Sequence, residues 1–183
     1  MLLRALEERS PELLRHLGGV ARLAGEVAER LALSSEEVEH VRQAAELHDV
    51  GKMAIPDAIL SKPGPLDPSE RAFLRRHTLV GERIVGAAPA LAPVARLVRS
   101  SHERLGGEGY PDRTPGEEIP LGSRIIAVCD AYDAMTSDRP YRRALPPEEA
   151  LDELRSCSGT QFDPQVVASF AVVVAERRPV PAG

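Results

Sequence analysis

Four of the five histidines sit where a water-soluble helix would keep apolar side chains. His16, His48, His77 and His102 fall on or beside the apolar stripes of expected helices. Asp49 follows His48 directly, and Asp130 interrupts the apolar run Ile125-Ile126-Ala127-Val128-Cys129. Glu12 lies one turn before His16, so the two share a helix face. His40 is the contrast: it shares a face with Glu36 and Gln43 and reads as a solvated surface residue. Any one of these histidines, taken singly, is better explained as a hydrogen-bonded core residue than as a ligand. Several ionisable groups facing one core would each cost a few kcal/mol unless paired. A shared metal ion resolves that cost, and imidazole and carboxylate converging inside a helical bundle is a recurrent dinuclear-metal recipe. A nitrogen and oxygen set without thiolate suits Fe, Mn or Zn better than Ca. Neighbours on a helix point about 100° apart. Near a helix end, Asp49 could therefore bridge two metals while His48 binds one.

The elements that must position these groups are helical. Ser10-Pro11-Glu12 reads as a cap with proline at the first helical position, before Leu13, His16, Val20, Leu23, Val27 and Leu31. Ser34-x-x-Glu37 is a capping box, and Asp67-Pro68-Ser69-Glu70 combines a cap, a first-turn proline and a glutamate. Leu74, His77, Val80, Gly81 and Ile84 continue that third helix, and Val94, Leu97, Val98 and His102 mark a fourth. Leu121 to Met135, Pro147 to Cys157 and Pro164 to Glu176 complete the set. The β-branched run from Val166 to Val174 is assigned to helix because Asp163-Pro164 is a helix start. The long irregular stretch from Glu103 to Pro120 is of a length more often functional than idle. The expectation is an all-α fold of about seven helices with a metal site in its core. One domain spans residues 1–177, with a frayed tail over 178–183.

Composition narrows the function classes. The chain has 183 residues, 43% of them hydrophobic and 28% charged, with a net charge of −5. It can bury a core without disulfides or metals, so a metal here serves chemistry before folding. A net acidic chain with no basic block is a poor nucleic-acid or anionic-membrane binder. Aromatic residues at 3% leave few stacking platforms. The N-terminus lacks the features of a signal peptide, no apolar run is long enough to span a membrane, and Cys129 and Cys157 lack metal spacing. A cytoplasmic protein is expected, with both cysteines inert. Lys52 and Lys62 are the only lysines in an arginine-rich chain. A retained lysine fits a place that needs a compact point charge.

The ordered set LHDVGKMAIPDAILSKPGPLDPSER, His77, SHERLGGEGYPD and VCDAYDAMTSDRPYRRA resembles the HD-GYP branch of the HD phosphohydrolase superfamily, the bacterial cyclic di-GMP phosphodiesterases. The resemblance runs from about His16 to Phe170. It implies metal-ligand roles for His16, His48, Asp49, His77, His102 and Asp130, with Glu12 where members with a third metal place a glutamate. It implies two divalent ions, Fe or Mn, with one and three as alternatives, and catalysis through Asp49 and Lys52 by a metal-bridging hydroxide. Gly109, Tyr110 and Pro111 form the signature loop. With Arg139 and Arg142, which match a phosphate-gripping R-P-Y-K motif, they make the implied substrate-binding set. The products would be pGpG, GMP or both. The departures are Ser101 in place of the first histidine of a family pair, Leu105-Gly106-Gly107 in place of Trp-Asp-Gly, and Gly19 in place of an arginine. They keep a second reading open, a weakened domain that binds cyclic di-GMP or a protein without turnover. A generic nucleotidase fits the signature loop and RPYRR less well. Members are often fused to sensory or receiver domains, so a chain of this length is expected to take its input from a separate signalling partner.

Overall fold

The computed structural model describes residues 11–138 and 143–177, with side chains from Gly18 onward. The tail expected over 178–183 lies outside the described residues, and so do Arg139 and Arg142. The described chain is helical. It comprises α1 (Pro11–Arg30), α2 (Ser35–Leu47), α3 (Asp57–Leu60), α4 (Pro68–Arg75), α5 (His77–Gly86), α6 (Ala92–Ser100), α7 (Leu121–Thr136), α8 (Pro147–Ser156) and α9 (Pro164–Glu176). Short 3-10 turns lie at Val50–Ala54, Pro89–Leu91 and Gly116–Glu118. Among the described residues there is no strand, only an isolated bridge between Ser158 and Phe162. No helix among them is long and apolar enough to cross a membrane.

The expected caps form. Glu37 N–H donates to Ser34 Oγ at 3.3 Å, and Ser34 N–H donates back to Glu37 Oε2 at 2.9 Å. Asp67 Oδ1 accepts from the N–H groups of Ser69 and Glu70, and Glu70 Oε2 accepts from Asp67 N–H and from Lys62 Nζ. Each box satisfies helix-end N–H groups that have no intrahelical partner. Asp163 caps α9 through Oδ1 and holds Arg124 of α7 through Oδ2 at 2.5 Å.

The third expected helix is divided. Arg76 N–H bonds back to the carbonyls of Leu74 and Phe73, and the backbone at Arg76 turns out of the regular helix (ψ −10°). A new helix begins at His77. Apolar spacing runs through this break unchanged, which is why the pattern alone reads as one helix.

Helix α1 packs on α2, α7 and α9, and α2 also packs on α6 and α7. Val20, Val27, Val41, Ile125, Ile126, Leu154 and Phe170 fill the core between them. Tyr132 of α7 meets the Phe170 ring edge-on at 4.9 Å. On the other side, α5 packs against both α6 and the 3-10 turn at Val50–Ala54. That contact is made by backbone. A Cβ on Gly51 would lie 1.9 Å from the His77 carbonyl oxygen and 2.6 Å from Gly81 N. Only glycine lets these two segments touch. Gly51→Ala should therefore destabilise the domain by about 3 kcal/mol, seen in calorimetry as a Tm lower by roughly 10 °C.

Candidate metal centre

The end of α2 is where the chemistry gathers. His48 caps that helix at its C-terminal end, and Asp49 (φ −99°, ψ 2°) turns the chain into the 3-10 turn. The break lets two adjacent side chains aim at one place. His48 is fully buried and Asp49 is 4% exposed. His77 enters from the first residue of α5, His102 from the turn after α6, and Asp130 from the middle of α7.

Asp49 is the hub. Its Oδ1 lies 3.4 Å from His77 Nε2 and 3.9 Å from His102 Nε2. Its Oδ2 lies 3.6 Å from His48 Nε2 and 2.5 Å from Lys52 Nζ. Asp130 Oδ1 approaches His48 Nε2 from the far side at 3.7 Å. One carboxylate thus offers an oxygen to each half of a histidine-lined pocket. Ligand atoms of His48, Asp49 and His102 all lie within 4.8 Å of one another.

The histidines are held in the tautomer a metal needs. His48 Nδ1–H donates to the Ala45 carbonyl at 2.7 Å, and His77 Nδ1–H donates to the Leu74 carbonyl at 2.8 Å. Each ring therefore turns Nε2 inward, the usual orientation behind a metal-bound imidazole. His77 Nε2, His102 Nε2 and Asp49 Oδ1 are buried and make no hydrogen bond among the described residues. Buried polar atoms are seldom left so, and this donor set fits a divalent ion. The cluster can hold a metal ion.

The electrostatics agree. Burial pushes His77 down to about 4, with the Asp49 charge opposing, so the ring is neutral at pH 7. Burial disfavours a charged His48, yet the carboxylates of Asp49 and Asp130 outweigh it and hold that imidazole above its ordinary value. Burial would raise Asp49, but Lys52, His48 and His102 together hold it well below the usual carboxylate range. Asp49 is an anion whose compensating cation here is Lys52.

The signature loop closes over this pocket. The Tyr110 ring stacks on His102, with centroids 5.1 Å apart and planes within 17°. It lies 6.1 Å from the His77 ring, and Arg75 places its guanidinium 5.1 Å over it. Burial and the charge of Asp49 push the Tyr110 phenol upward, so it stays protonated. Gly109 is buried, and a Cβ there would fall 2.4 Å from Glu103 Cα and Arg104 N. Its role in the structure is to let the loop lie on itself. Pro111 follows Tyr110 through a cis peptide.

Glu103 is the functional side chain that sequence reasoning missed. It is buried, and its Oε1 accepts from Asp112 N–H at 2.7 Å and Arg113 N–H at 3.1 Å. Tyr110 N–H donates to the His102 carbonyl. Arg99 grips Asp112 with two bonds at 2.7 and 2.8 Å and Glu82 with a third. Leu105 and Gly106 donate to the carbonyls of Gln161 and Thr160. A glutamate between a candidate ligand and a glycine-rich loop was the available signal.

The remaining expectations fall as follows. His16 and Glu12 lie in α1, but their side chains are outside the described set. Ser101 is buried, and its hydroxyl donates back to the Val98 carbonyl at 2.9 Å. Asp133 accepts a bond from Ser137 Oγ, opposite Gly19 of α1. His40 lines a surface groove with Glu37, Val41 and Leu97. Cys129 is buried, and burial with the Asp130 charge pushes its thiol up, which keeps it unreactive.

Comparison with known proteins decides the family. The HD domain family model matches residues 1–166. The chain belongs to the HD domain family. It is 43% identical over 166 residues to a Thermotoga maritima cyclic di-GMP phosphodiesterase, covering 90% of this chain and 45% of that one. It is 44% identical to the cyclic di-GMP phosphodiesterase response regulator RpfG of Xanthomonas campestris, covering 91% and 44%. The chain thus spans less than half the length of these relatives. Among solved structures, a cyclic GMP-AMP specific phosphodiesterase of V. cholerae superposes with a TM-score of 0.70 at 22% identity, over 89% of this chain and 44% of that one. That likeness confirms the all-α HD-domain fold.

Two outcomes test the centre. Mn(II) at a hundred times its Kd should stabilise the protein by about 2.7 kcal/mol, read as a rise in Tm, and Asp49→Asn should abolish that rise. Glu103→Ala should take the carboxylate acceptor from the N–H groups of Asp112 and Arg113, at a cost of about 1–3 kcal/mol. Hydrogen exchange at Asp112 and Arg113 should accelerate accordingly.

Proposed function

We propose that this HD domain is a metal-dependent phosphodiesterase that hydrolyses cyclic di-GMP. The observation that carries the reading is the convergence of three imidazole Nε2 atoms on the two oxygens of one buried carboxylate, roofed by the Tyr110 loop. Its likeness over most of its length to two cyclic di-GMP phosphodiesterases supplies the substrate.

The residues divide the work. His48, Asp49, His77, His102 and Asp130 would hold the ions, with His16 completing the set and Glu12 available to a third. Fe or Mn suits this nitrogen and oxygen set. When bound, the ions supply Lewis-acid charge and water acidified toward neutrality. Asp49 fixes the spacing of the two halves because its carboxylate is rigid and buried. The Lys52 side chain is one-third exposed, and it is the cation of the cluster that a phosphoryl oxygen can reach. It stabilises charge that grows on that oxygen. Tyr110 packs His102 in place and excludes water from that wall. Arg139 and Arg142 are assigned to the substrate phosphate, with Gly109 and Pro111 shaping the loop that bounds it.

A second reading rests on Ser101. Its hydroxyl is committed to Val98, so this position contributes no ligand. A domain short of one imidazole could bind cyclic di-GMP, or a signalling partner, without turnover.

Protein loaded anaerobically with Fe(II) or Mn(II) should convert cyclic di-GMP to pGpG or GMP, resolved by chromatography. Asp49→Asn should reduce turnover by at least a thousandfold, on the scale of losing a central electrostatic group. Metal bound without turnover would favour the binding module instead. Ser101→His should raise metal stoichiometry and rate together, and an unchanged stoichiometry would remove Ser101 from the site.

A further inference from the structure

We infer that Arg75 is a substrate-binding residue, the contact for the phosphodiester of the cyclic dinucleotide that is not being cut. The inference rests on the activity proposed above and names a side chain outside the motifs quoted from the sequence. Arg75 is the last residue of α4, two positions before His77. Its guanidinium lies 5.1 Å over the Tyr110 ring, which itself stacks on His102 at 5.1 Å. The charge is therefore at the rim of the metal pocket, separated from one of its histidines by a single aromatic ring.

Of the nearby cations, Lys52 is held on Asp49 at 2.5 Å and Arg99 is paired with Glu82 and Asp112, while Arg104 belongs to the signature loop itself and also acts on the Tyr110 phenol. Arg75 is exposed and makes no ion pair among the described residues. Its guanidinium rests over the aromatic face of Tyr110. A guanidinium resting over a ring is oriented by cation–π attraction while its N–H donors remain free. Those donors match two oxygens of one phosphate, a geometry an ammonium cannot reproduce.

A cyclic dinucleotide carries two phosphodiesters on opposite sides of one ring. When one sits on the metal cluster, the other is left at the mouth of the pocket. A basic group there stabilises it, and Arg75, over the Tyr110 ring, is a described cation so placed. The break at Arg76 matters for this. It ends α4 with Arg75 beside the pocket and starts α5 with His77 inside it.

The test compares wild type, Arg75→Ala and Arg75→Lys as Mn(II)-loaded full chains. Arg75→Ala should raise KM for cyclic di-GMP about tenfold, the scale of one charge-assisted contact, while kcat falls less than threefold and Mn(II) affinity holds. Arg75→Lys should recover part of the KM. The KM of wild type should rise more steeply with salt than that of Arg75→Ala. The loss should be equal for cyclic di-GMP and cyclic di-AMP. A loss confined to the guanine substrate would mean that Arg75 reads a base, which overturns the phosphate assignment. An unchanged KM also overturns it. Equilibrium binding of a slowly hydrolysed phosphorothioate analogue separates this inference from the proposed activity. Tenfold weaker analogue binding by Arg75→Ala, with no turnover by wild type, would uphold the inference and sink the phosphodiesterase. Equal analogue binding alongside normal turnover would do the reverse.

Discussion

A single buried carboxylate sets the terms for the rest of the molecule. Asp49 could not stay ionised at its depth without compensation, because an isolated buried charge neutralises instead. Its anion survives because four cationic or polarisable groups surround it, two from its own segment and two from distant parts of the chain. Lys52 follows by three residues, His48 precedes it, His77 opens α5 and His102 follows α6. The bundle is in this sense assembled around a charge as well as around a core. Removing the carboxylate would leave three imidazoles, two of them fully buried, with nothing to converge on.

The packing serves that convergence. Val50 and Gly51 are buried directly after the hub, and the Gly51 backbone lies against His77 and Gly81. Two segments that carry candidate ligands are thereby locked at backbone distance rather than through flexible side chains. On the other side, the α1, α2, α7 and α9 core fixes the height at which Asp130 meets His48.

Much of this was legible before any coordinates. His48, Asp49, His77, His102 and Asp130 are visible because they are polar residues on apolar faces, and periodicity reports which face is buried. The capping boxes at Ser34 and Asp67 are local chemistry and appear where they were read. Periodicity says nothing about partners, however. The Glu103 bonds to Asp112 and Arg113, the Arg99 grip on Asp112, and the close approach at Gly51 join residues across turns and helices, so no local pattern encodes them. The division at Arg76 was hidden for a related reason, since a one-residue break leaves the apolar spacing intact. Ser101 could be recognised only as a missing imidazole, and its bond to Val98 shows where the hydroxyl goes instead.

The loop from Glu103 to Pro120 is irregular but not loose. Glu103, Arg99, the His102 carbonyl and the carbonyls of Thr160 and Gln161 each take hold of it. Its conformational freedom is surrendered while the chain folds, long before any ligand arrives. Association then carries no ordering penalty from this wall of the pocket. The wall can act as a fixed template, selecting molecules by fit from the first encounter. Adaptation to differently shaped ligands would have to arise elsewhere along the rim, in segments bound by fewer internal ties.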